Sequence, residues 1–442
     1  MSPFSANIAL PPVRVVILDG GFGGLEACRA LDNSRFDITL VDRQNHHLFQ
    51  PLLYQVATGG LSAPEIAQPL RSILSDQKNV TIFMTEVLAV DLAAKRVSLE
   101  NRELEYDYLV LALGARTGYF GHPEWEQFAP GLKSLDDATR IRRDVLTAYE
   151  KAEQTTNDKE VEFLLTTVVI GGGPTGVEMA GALSELAHHA LKGDFRRINP
   201  RSARVLLIEA SPHILNSFGQ NLSAYATQRL ERMGVTVTTG CSVSEVGPGY
   251  LVCGGKRIEA ANIIWAAGVE ASPITRGLGL KTDRSGRVAV NPDCSIPGHP
   301  EVFAIGDLAL LVDKNGIQVP SVSPAAMQMG RHAAAVIREE ICRNDEKKPL
   351  SENVPRAAFT YLDKGSMATI GRSAAVAQIG RFHMRGLFAW LAWLFIHLIF
   401  LIGLRNKFAV FAQWVYAYFT FKRGARIITG RHEPPSGGMP KS

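Results

Sequence analysis

The sequence has few cysteines, and their spacing does not suggest a pair. Five occur among 442 residues, and no two form a C-x-x-C or C-x4-C pattern. Those patterns are typical of zinc sites and redox-active dithiols, and a denser set of cysteines is typical of disulfide frameworks, so we expect none of these. We expect buried thiols in a reducing compartment at Cys28, Cys241, Cys253, Cys294 and Cys342.

The sequence also lacks a targeting signal and a strong net charge. Its first residues, MSPFSANIALPPVR, contain neither a basic start followed by a long apolar run nor an Arg-rich amphipathic pattern. The formal net charge is +4, which is too small to suggest nucleic acid as a partner. We expect the body of the protein to stay in the cytoplasm and to bind no nucleic acid.

Acidic residues are absent from one stretch of the chain, between Asp363 and Glu433. Ten basic residues fall within that stretch: Lys364, Arg372, Arg381, Arg385, Arg405, Lys407, Lys422, Arg423, Arg426 and Arg431. The C-terminal region is therefore a different kind of surface from the rest of the chain.

The same region contains the longest apolar run, residues 387–404, which is interrupted only by His397 and Gly403. Its length nearly permits a transmembrane helix, but the next run, 408–421, is too short to cross a bilayer and carries Gln413. Two helices lying in the membrane interface, with tryptophans and tyrosines at the headgroup level and basic residues near anionic lipid, account for both runs. A buried helical hairpin or a dimer contact is the alternative. Proton pumping is not expected, because the sequence offers no set of membrane spans with ionisable residues.

An internal repeat indicates the fold. The segments VVILDGGFGGLEACRAL and VVIGGGPTGVEMAGAL are similar and lie about 150 residues apart, which is too far for a solenoid. Apolar runs that alternate with helical patterns predict parallel sheets covered by helices. The predicted fold class is α/β, with two Rossmann-like dinucleotide-binding domains and a C-terminal membrane-associating helical tail.

Composition places the domain boundaries. The polar segment 150–160 predicts a crossing between the domains, and strand character resumes at EVFAIGD. We predict a first dinucleotide-binding domain made of two segments, a second such domain between them and a C-terminal region, with the boundaries 1–155, 156–290, 291–350 and 351–442.

The second glycine loop has every glycine of a G-x-G-x-x-G turn, at Gly171, Gly173 and Gly176. Backbone N–H groups and the start of the following helix can bind a pyrophosphate where no Cβ blocks its approach. Glu209 ends the next apolar run, where a carboxylate can accept hydrogen bonds from a ribose diol. No Arg or Lys follows it closely, so NADH is favoured over NADPH. An ordinary glycine turn is the alternative.

The first loop departs from the pattern, because Asp19 replaces its first glycine while Gly21 and Gly24 remain in frame. Asp tolerates positive φ better than most residues, at a cost on the order of 1 kcal/mol. Its carboxylate would repel a pyrophosphate unless it points away or bonds a neighbouring N–H. Asp42 stands where the ribose-binding acid belongs. We expect the loop to bind a dinucleotide.

Several further motifs resemble one family. They are VDRQNHHLFQPLLYQVATG, GGGPTGVE, IIWAAGV, VFAIGDLA and DKGSMATIGR. With the first loop, they resemble type II NADH:quinone oxidoreductases, from about Val13 to Gly430. That family is a two-dinucleotide-domain flavoprotein on the inner face of bacterial membranes. The resemblance implies non-covalent FAD on the first loop, NADH on the second and a membrane quinone as acceptor. It also implies a peripheral protein on the cytoplasmic face of the inner membrane and a possible homodimer.

The resemblance also implies roles for individual residues. The expected cofactor-binding residues are Gly20, Gly21, Phe22, Gly23, Gly24, Asp42, Arg43, Gln50, Val87, Gly114, Gly171, Gly173, Pro174, Thr175, Gly176, Glu178, Glu209, Ala267, Gly268, Asp307, Ala326, Met327 and Lys364. The expected quinone contacts are Ala325, Gln328, Met329 and Lys364. The positions that depart from the family pattern are Asp19, Leu113 where threonine is common, and Met329 where many members have a second glutamine.

Glu178 is the expected catalytic residue, near the nicotinamide. Its alternative role is charge compensation at a helix N-terminus. Gln328 and Lys364 are either partners of a quinone carbonyl or reduced flavin, or ordinary surface side chains. His46 and His47 have no neighbours in the sequence that complete a metal site, so no metal is expected.

Three other interpretations share parts of the pattern. A sulfide:quinone oxidoreductase shares the two-domain plan and the membrane tail. A resemblance to that class implies a pair of cysteines flanking the flavin, but no cysteine follows Cys342 here. A soluble NADH-dependent reductase conflicts with the missing dithiol and the apolar, basic tail. A redox-sensing flavoprotein that turns over poorly is a non-enzymatic alternative.

Overall fold

The computed structural model describes residues 10–345, 356–420 and 422–429. The chain divides into two compact units, each made of three segments. Unit 1 comprises Met1–His47, Pro69–Arg116 and Glu270–Asp363, and unit 2 comprises Leu48–Gln68, Thr117–Val269 and Lys364–Ser442. The four domain boundaries inferred from the sequence stay a prediction. The start of the N-terminal segment, the boundary at residue 350 and Arg431 lie outside the described residues.

Short strands outnumber helices in the described residues. The strands are β1 (Val13–Leu18), β2 (Phe36–Asp42), β3 (His46–Leu48), β4 (Ala67–Pro69), β5 (Val80–Met84), β6 (Val87–Asp91), β7 (Arg96–Leu99), β8 (Glu103–Glu105), β9 (Tyr108–Leu111), β10 (Ala115–Thr117), β11 (Thr166–Ile170), β12 (Arg204–Ile208), β13 (Val235–Thr238), β14 (Val243–Gly247), β15 (Tyr250–Cys253), β16 (Lys256–Glu259), β17 (Asn262–Trp265), β18 (Val269–Ala271), β19 (Val288–Ala289), β20 (Ser295–Ile296), β21 (His299–Ala304), β22 (Ala309–Leu310), β23 (Ser366–Thr369), β24 (Ala375–Ile379) and β25 (Phe382–Gly386). The helices are α1 (Phe22–Ala30), α2 (Leu53–Ala57), α3 (Ala63–Ile66), α4 (Leu70–Ile73), α5 (Leu135–Gln154), α6 (Asp158–Leu164), α7 (Pro174–Glu185), α8 (Gln220–Arg232), α9 (Ile274–Gly277), α10 (Ser323–Asp345), α11 (Leu387–Phe400) and α12 (Leu404–Thr420).

Unit 1 is built on a six-stranded sheet with the order β20-β21-β9-β1-β2-β5. The strands from β21 to β5 pair in parallel, and β1 lies between β9 and β2. Residues 15–18 of β1 are almost completely buried, as expected for a strand covered on both faces. The sheet is completed by β21, which contains the EVFA segment, so a distant part of the chain returns to it.

Small residues bring α10 against α1 in unit 1. A Cβ on Gly330 would lie 2.2 Å from the carbonyl oxygen of Gly23, and a Cβ on Gly23 would lie 3.1 Å from the carbonyl oxygen of Ala326. The first turn of α10 therefore lies beside the glycine loop that follows β1. This contact brings Ala326 to the loop, although more than three hundred residues separate them in sequence.

Unit 2 contains a four-stranded parallel sheet with the order β13-β12-β11-β17. Every residue of β11 is buried, and the sheet shares a core with the antiparallel strands β14 and β15. The two glycine loops therefore each follow the first strand of their own parallel sheet. This arrangement confirms the predicted α/β class with two dinucleotide-binding folds.

The C-terminal part of unit 2 consists of the antiparallel strands β23, β24 and β25 followed by α11 and α12. The two predicted tail helices are thus present. Within the described part of the chain, neither they nor any other helix combines the length and apolarity that crossing a membrane requires.

The prediction of five buried thiols is wrong for three of the cysteines. Cys241 and Cys253 form a disulfide in unit 2, and Cys342 is exposed, whereas Cys28 and Cys294 are buried free thiols. The hairpin of β14 and β15 brings the disulfide pair together across twelve residues of sequence. A hairpin contact of this kind leaves no characteristic cysteine spacing in the sequence, so it could not be inferred from the motif patterns.

Candidate functional site

The two glycine loops have the same backbone geometry. Asp19 has φ 85° and Gly171 has φ 108°, so the residue directly after the strand has positive φ in both loops. The N–H of Asp19 donates to Val41 O at 2.7 Å, and the N–H of Gly171 donates to Ile208 O at 2.7 Å. Asp19 therefore occupies a glycine position without changing the turn.

An acid at the end of the next strand holds each loop. The N–H of Gly20 donates to Asp42 Oδ2 at 2.7 Å, and the N–H of Gly172 donates to Glu209 Oε2 at 2.6 Å. The other oxygen of each acid accepts an N–H from the residue two positions further on. These hydrogen bonds place both carboxylates beside a loop, where a ribose diol would lie.

The last glycine of each loop is required by close packing. A Cβ on Gly24 would lie 1.9 Å from Asp19 O, and a Cβ on Gly176 would lie 1.8 Å from Gly171 O. A Cβ on Gly173, by contrast, would meet no described atom within 4 Å. The second loop therefore leaves open space before the first turn of α7, as a phosphate site at a helix N-terminus requires.

The carboxyl group of Asp19 makes its contacts within its own loop, which bears on whether it would repel a phosphate. Its Oδ2 accepts the N–H of Gly21 at 3.1 Å, which is one of the two arrangements that the sequence left open. Burial raises the pKa of Asp19 well above its usual range, and the neighbouring carboxylate of Asp42 raises it further. A protonated Asp19 carries no charge, so it would not repel a pyrophosphate.

His47 supports the same loop, a role that sequence reasoning missed. The side chain is buried, and its Nδ1 lies 2.9 Å from Gly20 O. The rings of His47 and Phe22 meet edge-on, with centroids 5.0 Å apart. Burial lowers the pKa of His47, so the neutral ring is favoured. Only its position before an apolar run was visible in the sequence.

The predicted site residues are distributed over both units. Unit 1 contains Gly20, Gly21, Phe22, Gly23, Gly24, Asp42, Arg43, Val87, Gly114, Asp307, Ala325, Ala326, Met327, Gln328 and Met329. Unit 2 contains Gln50, Gly171, Gly173, Pro174, Thr175, Gly176, Glu178, Glu209, Ala267, Gly268 and Lys364. Each unit thus brings together the residues of one glycine loop and the acid at the end of the next strand.

The expected quinone contacts have mixed environments. Ala325 and Met329 are buried on α10, while the amide of Gln328 donates to Leu362 O at 3.1 Å and accepts the N–H of Leu362 at 2.9 Å. Lys364 places its Nζ 4.9 Å from the centroid of the Phe400 ring. Gln328 therefore ties α10 to the segment before Lys364 in unit 1.

A pocket in unit 2 was not foreseen from the sequence. Its cavity volume is about 130 Å³, and it contains Glu178 of α7. The side chains opposite come from α2, β23, α11 and α12: Tyr54, Gln55, Thr369, Trp390, Trp393, Trp414 and Tyr418. Aromatic walls with a few polar groups are typical of sites for planar organic ligands. The sequence motifs that contain Tyr54 and Thr369 could be recognised, but the contact between these two residues could not be inferred from the sequence.

Glu178 is the buried acid of this pocket. The backbone N–H of Thr369 donates to Glu178 Oε1 at 3.2 Å, and only 8% of Glu178 is exposed. Burial raises the pKa of Glu178 to about 8. Hydrogen bonds from Thr369 and Trp393 lower this pKa, but the effect of burial is larger. A carboxyl group that keeps its proton at neutral pH cannot compensate the charge of a helix N-terminus, which argues against that alternative role.

A chain of hydrogen bonds connects α12 to Glu178. Trp414 Nε1 donates to Gln55 Oε1 at 2.8 Å, and Gln55 Nε2 donates to Tyr54 Oη at 3.0 Å. Tyr54 Oη lies 3.0 Å from the hydroxyl of Thr369, which in turn contacts Glu178. Polar groups in the pocket are therefore joined into one network, which fixes their positions.

Buried charges close the other end of the pocket. Arg423 donates to Glu185 Oε2 at 3.1 Å and to Thr58 O at 3.0 Å, and Glu185 also accepts the backbone N–H of Arg372. The Arg372 guanidinium stacks on Tyr418 at 4.1 Å. The segment after α12 is thus fastened to the end of α7 by paired charges.

The loop geometry leads to a prediction about Asp19. Asp19→Gly keeps the positive φ and removes the buried carboxyl, so the purified variant should hold at least as much FAD per chain as the wild type. The absorbance ratio of flavin to protein measures this. Gly24→Ala is the matched control and should lose FAD, because its Cβ would lie 1.9 Å from Asp19 O. A clear loss of FAD in Asp19→Gly would contradict the prediction.

Comparisons with known proteins agree with this architecture. The family model for pyridine nucleotide-disulphide oxidoreductases matches residues 13–330, and the model for the NDH2 C-terminal domain matches residues 364–423. A structure of NDH2 from Plasmodium falciparum in complex with NADH has the same fold, with a TM-score of 0.85 at 20% identity over 94% of this chain and 99% of that chain.

Sequence relatives identify the family. The type II NADH:quinone oxidoreductase NdhA of Mycobacterium tuberculosis is 44% identical over 432 residues, which are 95% of this chain and 90% of that protein. The type II NADH:quinone oxidoreductase Ndh of the same organism is 42% identical over 444 residues, 97% of this chain and 93% of that protein. These matches do not favour the sulfide:quinone oxidoreductase or soluble reductase alternatives. The chain belongs to the type II NADH:quinone oxidoreductase family.

Proposed function

We propose that this protein oxidises NADH through bound FAD and passes the electrons to a membrane quinone without pumping protons. Membership of the family supports the reaction. The observation that carries the quinone half is the unit 2 pocket, in which the buried acid Glu178 faces aromatic side chains of the tail helices α11 and α12. A redox sensor that turns over poorly gains no support from any feature of this pocket.

The residues of unit 1 fit FAD. The loop of residues 20–24 and the start of α1 offer backbone N–H groups for the pyrophosphate, and Asp42 is placed for the ribose. We propose that Asp307 and the first turn of α10, including Ala326, line the remainder of the cofactor. When bound, FAD supplies an acceptor for a hydride and a donor of electrons to the quinone.

The residues of unit 2 fit NADH. Gly173 leaves open space at the start of α7, and Glu209 is held beside the loop by the N–H of Gly172. No Lys or Arg directly follows Glu209, which supports NADH over NADPH. The chain's task is to orient the nicotinamide and to keep water from the reacting face.

We propose that Glu178 supplies a proton to the reduced quinone from its carboxyl group. A quinone oxygen that receives electrons becomes basic, so a neutral acid within the pocket is the group needed. Thr369 donates its backbone N–H to that acid, and the hydroxyl of Thr369 is in turn hydrogen-bonded to Tyr54. Lys364, beside Phe400 in unit 2, remains our proposed cationic contact of the quinone. The family resemblance is the support for Gln328 of unit 1 as a further proposed contact.

An exposed apolar surface on the tail helices supports membrane attachment. Its residues recur every three or four positions on each helix: Phe388, Leu391, Phe395 and Ile399 on α11, and Leu404, Phe408, Phe411, Val415 and Phe419 on α12. Contiguous apolar surface of this kind marks a binding face, and the basic residues that flank the apolar run 387–404, Arg381, Arg385, Arg405 and Lys407, suit anionic lipid. We propose peripheral attachment to the cytoplasmic face of the inner membrane by this helical face.

The reaction itself is tested by stopped-flow absorbance of the purified flavoprotein. NADH should bleach the oxidised flavin, and a soluble quinone should then restore its absorbance. If NADH leaves the flavin oxidised, the proposed function fails. If the flavin is bleached but the quinone does not reoxidise it, the quinone half fails while the NADH half stands.

The pKa of Glu178 predicts the pH dependence of the quinone step. Flavin reoxidation by quinone should slow as pH rises through about 8, because Glu178 then loses its proton. Glu178→Gln should lack this alkaline limb and react about a hundredfold more slowly at pH 7. Glu231→Gln, at an exposed position of α8, is the control and should behave like the wild type. An unchanged alkaline limb in Glu178→Gln would refute the assignment.

The same group predicts how stability varies with pH. The folded pKa of Glu178, about 8, lies above its ordinary value of 4.5. Below pH 4.5 both states hold the proton, but between 4.5 and 8 only the unfolded state releases it, so the free energy of unfolding falls as pH rises. The Tm advantage of Glu178→Gln over the wild type should therefore grow between pH 5 and 8, by about 3 °C or more. A constant difference in thermal melts would contradict the raised pKa.

Membrane attachment is tested with a charged substitution on the helical face. Phe411→Asp should lower partitioning into phosphatidylglycerol vesicles about tenfold, because an apolar anchor is lost and a negative charge faces anionic lipid. Leu88→Asp, also at an exposed apolar position but in unit 1, is the control. If Phe411→Asp keeps its vesicle binding but changes the oligomeric state in gel filtration, the face is a dimer contact instead.

A further inference from the structure

Phe120 combines two unusual properties. Its φ is 53°, in the left-handed region that bulky side chains rarely adopt, and 72% of the residue is exposed. A single exposed aromatic side chain needs no explanation, but one held in a strained conformation at the surface does. Strain of this kind persists where the surrounding structure enforces it, commonly at binding sites.

Hydrogen bonds fix the backbone beside Phe120. The N–H of Gly118 donates to Gly268 O at 3.1 Å, and Trp265 Nε1 donates to Gly118 O at 2.9 Å. A Cβ on Gly268 would lie 2.7 Å from Cζ of Phe120, so the ring lies directly over that glycine. The ring is therefore held in place at the loop that follows β17.

Packing within the protein does not explain this ring. The neighbouring Tyr119 and Trp125 are buried against Trp265, with ring centroids 5.2 and 5.5 Å from it. Phe120 reaches the same tryptophan only at 6.0 Å and leaves most of its surface exposed. Its apolar area thus contributes little to the core of unit 2.

The order of the strands shows what lies beside Phe120. In the sheet β13-β12-β11-β17, the ribose-binding acid Glu209 follows β12, and the phosphate loop at Gly171 follows β11. A dinucleotide bound across these strand ends has its remaining half over β17. Gly171 is packed against Ala267, since a Cβ there would lie 2.6 Å from Ala267 Cα, and the next residue is Gly268. The nicotinamide half of NADH therefore comes to the position that Phe120 borders.

We infer that Phe120 packs its exposed ring against the nicotinamide half of NADH and is a binding determinant for this co-substrate. The inference rests on the proposed function. An aromatic side chain suits the task because it presents a flat apolar surface to a planar ring. The strained backbone at residue 120 and the absence of a side chain at Gly268 together determine how far the ring surface stands from the loop that follows β17.

Binding of NAD+ to the purified FAD-containing protein, measured by titration calorimetry, tests the inference without turnover. NAD+ is the probe because it shares the contacts of NADH but cannot reduce the flavin. Phe120→Ala should raise the Kd about three- to tenfold, whereas Phe120→Tyr should bind like the wild type. The control, Phe382→Ala, removes a similarly exposed ring on β25 and should leave the Kd unchanged.

A second variant separates loss of the ring from disturbance of the backbone. Phe120→Gly also removes the ring but adopts positive φ without strain. If the ring makes the contact, Phe120→Gly binds NAD+ as weakly as Phe120→Ala. If Phe120→Gly or Phe120→Ala binds as tightly as the wild type, the inference is overturned. Failure of the wild-type protein to bind NAD+ would instead overturn the proposed NADH site.

Discussion

A hydrogen bond between a strand-end acid and the next N–H of a glycine loop underlies both nucleotide sites. It joins Asp42 to Gly20 in one unit and Glu209 to Gly172 in the other, at 2.7 and 2.6 Å. The bond holds the loop against the end of the neighbouring strand. Within each loop, the carbonyl oxygen of the first residue lies so close to the last glycine that a Cβ is excluded there. It also orients the remaining acceptor capacity of the acid toward a ribose. Everything proposed for FAD and NADH depends on this one arrangement being made twice.

The loops were predictable because their requirements are local. A few neighbouring residue types meet each requirement: positive φ, close approach of the backbone and an acid at the end of the next strand. Gly171, Gly176 and Glu209 could therefore be identified without coordinates. Asp19 was harder, since its tolerance depends on a partner N–H and on burial beside Asp42. Those are properties of the fold, and the protonation they favour has no signature in the sequence.

The pocket around Glu178 could not be predicted for a different reason. Its polar network joins Tyr54, Thr369 and Trp414, which meet only because α2, β23 and α12 come together in unit 2. Contacts between such distant segments are set by tertiary packing, which a spacing pattern does not encode. The disulfide between Cys241 and Cys253 escaped prediction for another reason: its cysteines are only twelve residues apart, but a hairpin contact leaves no characteristic cysteine spacing. Glu178 itself was found through its motif, but its burial was not.

The pairing of Arg423 with Glu185 has a mechanical consequence. Both ends of α12 belong to the same compact unit as the NADH loop, and the buried ion pair anchors the segment beyond that helix to the far end of α7. The ion pair therefore fixes the tail to its own unit, so the tail is not a flexible linker. On the lipid surface that we propose, this ion pair would keep the segment after α12 at a fixed position relative to α7 and the nucleotide loop of the same unit.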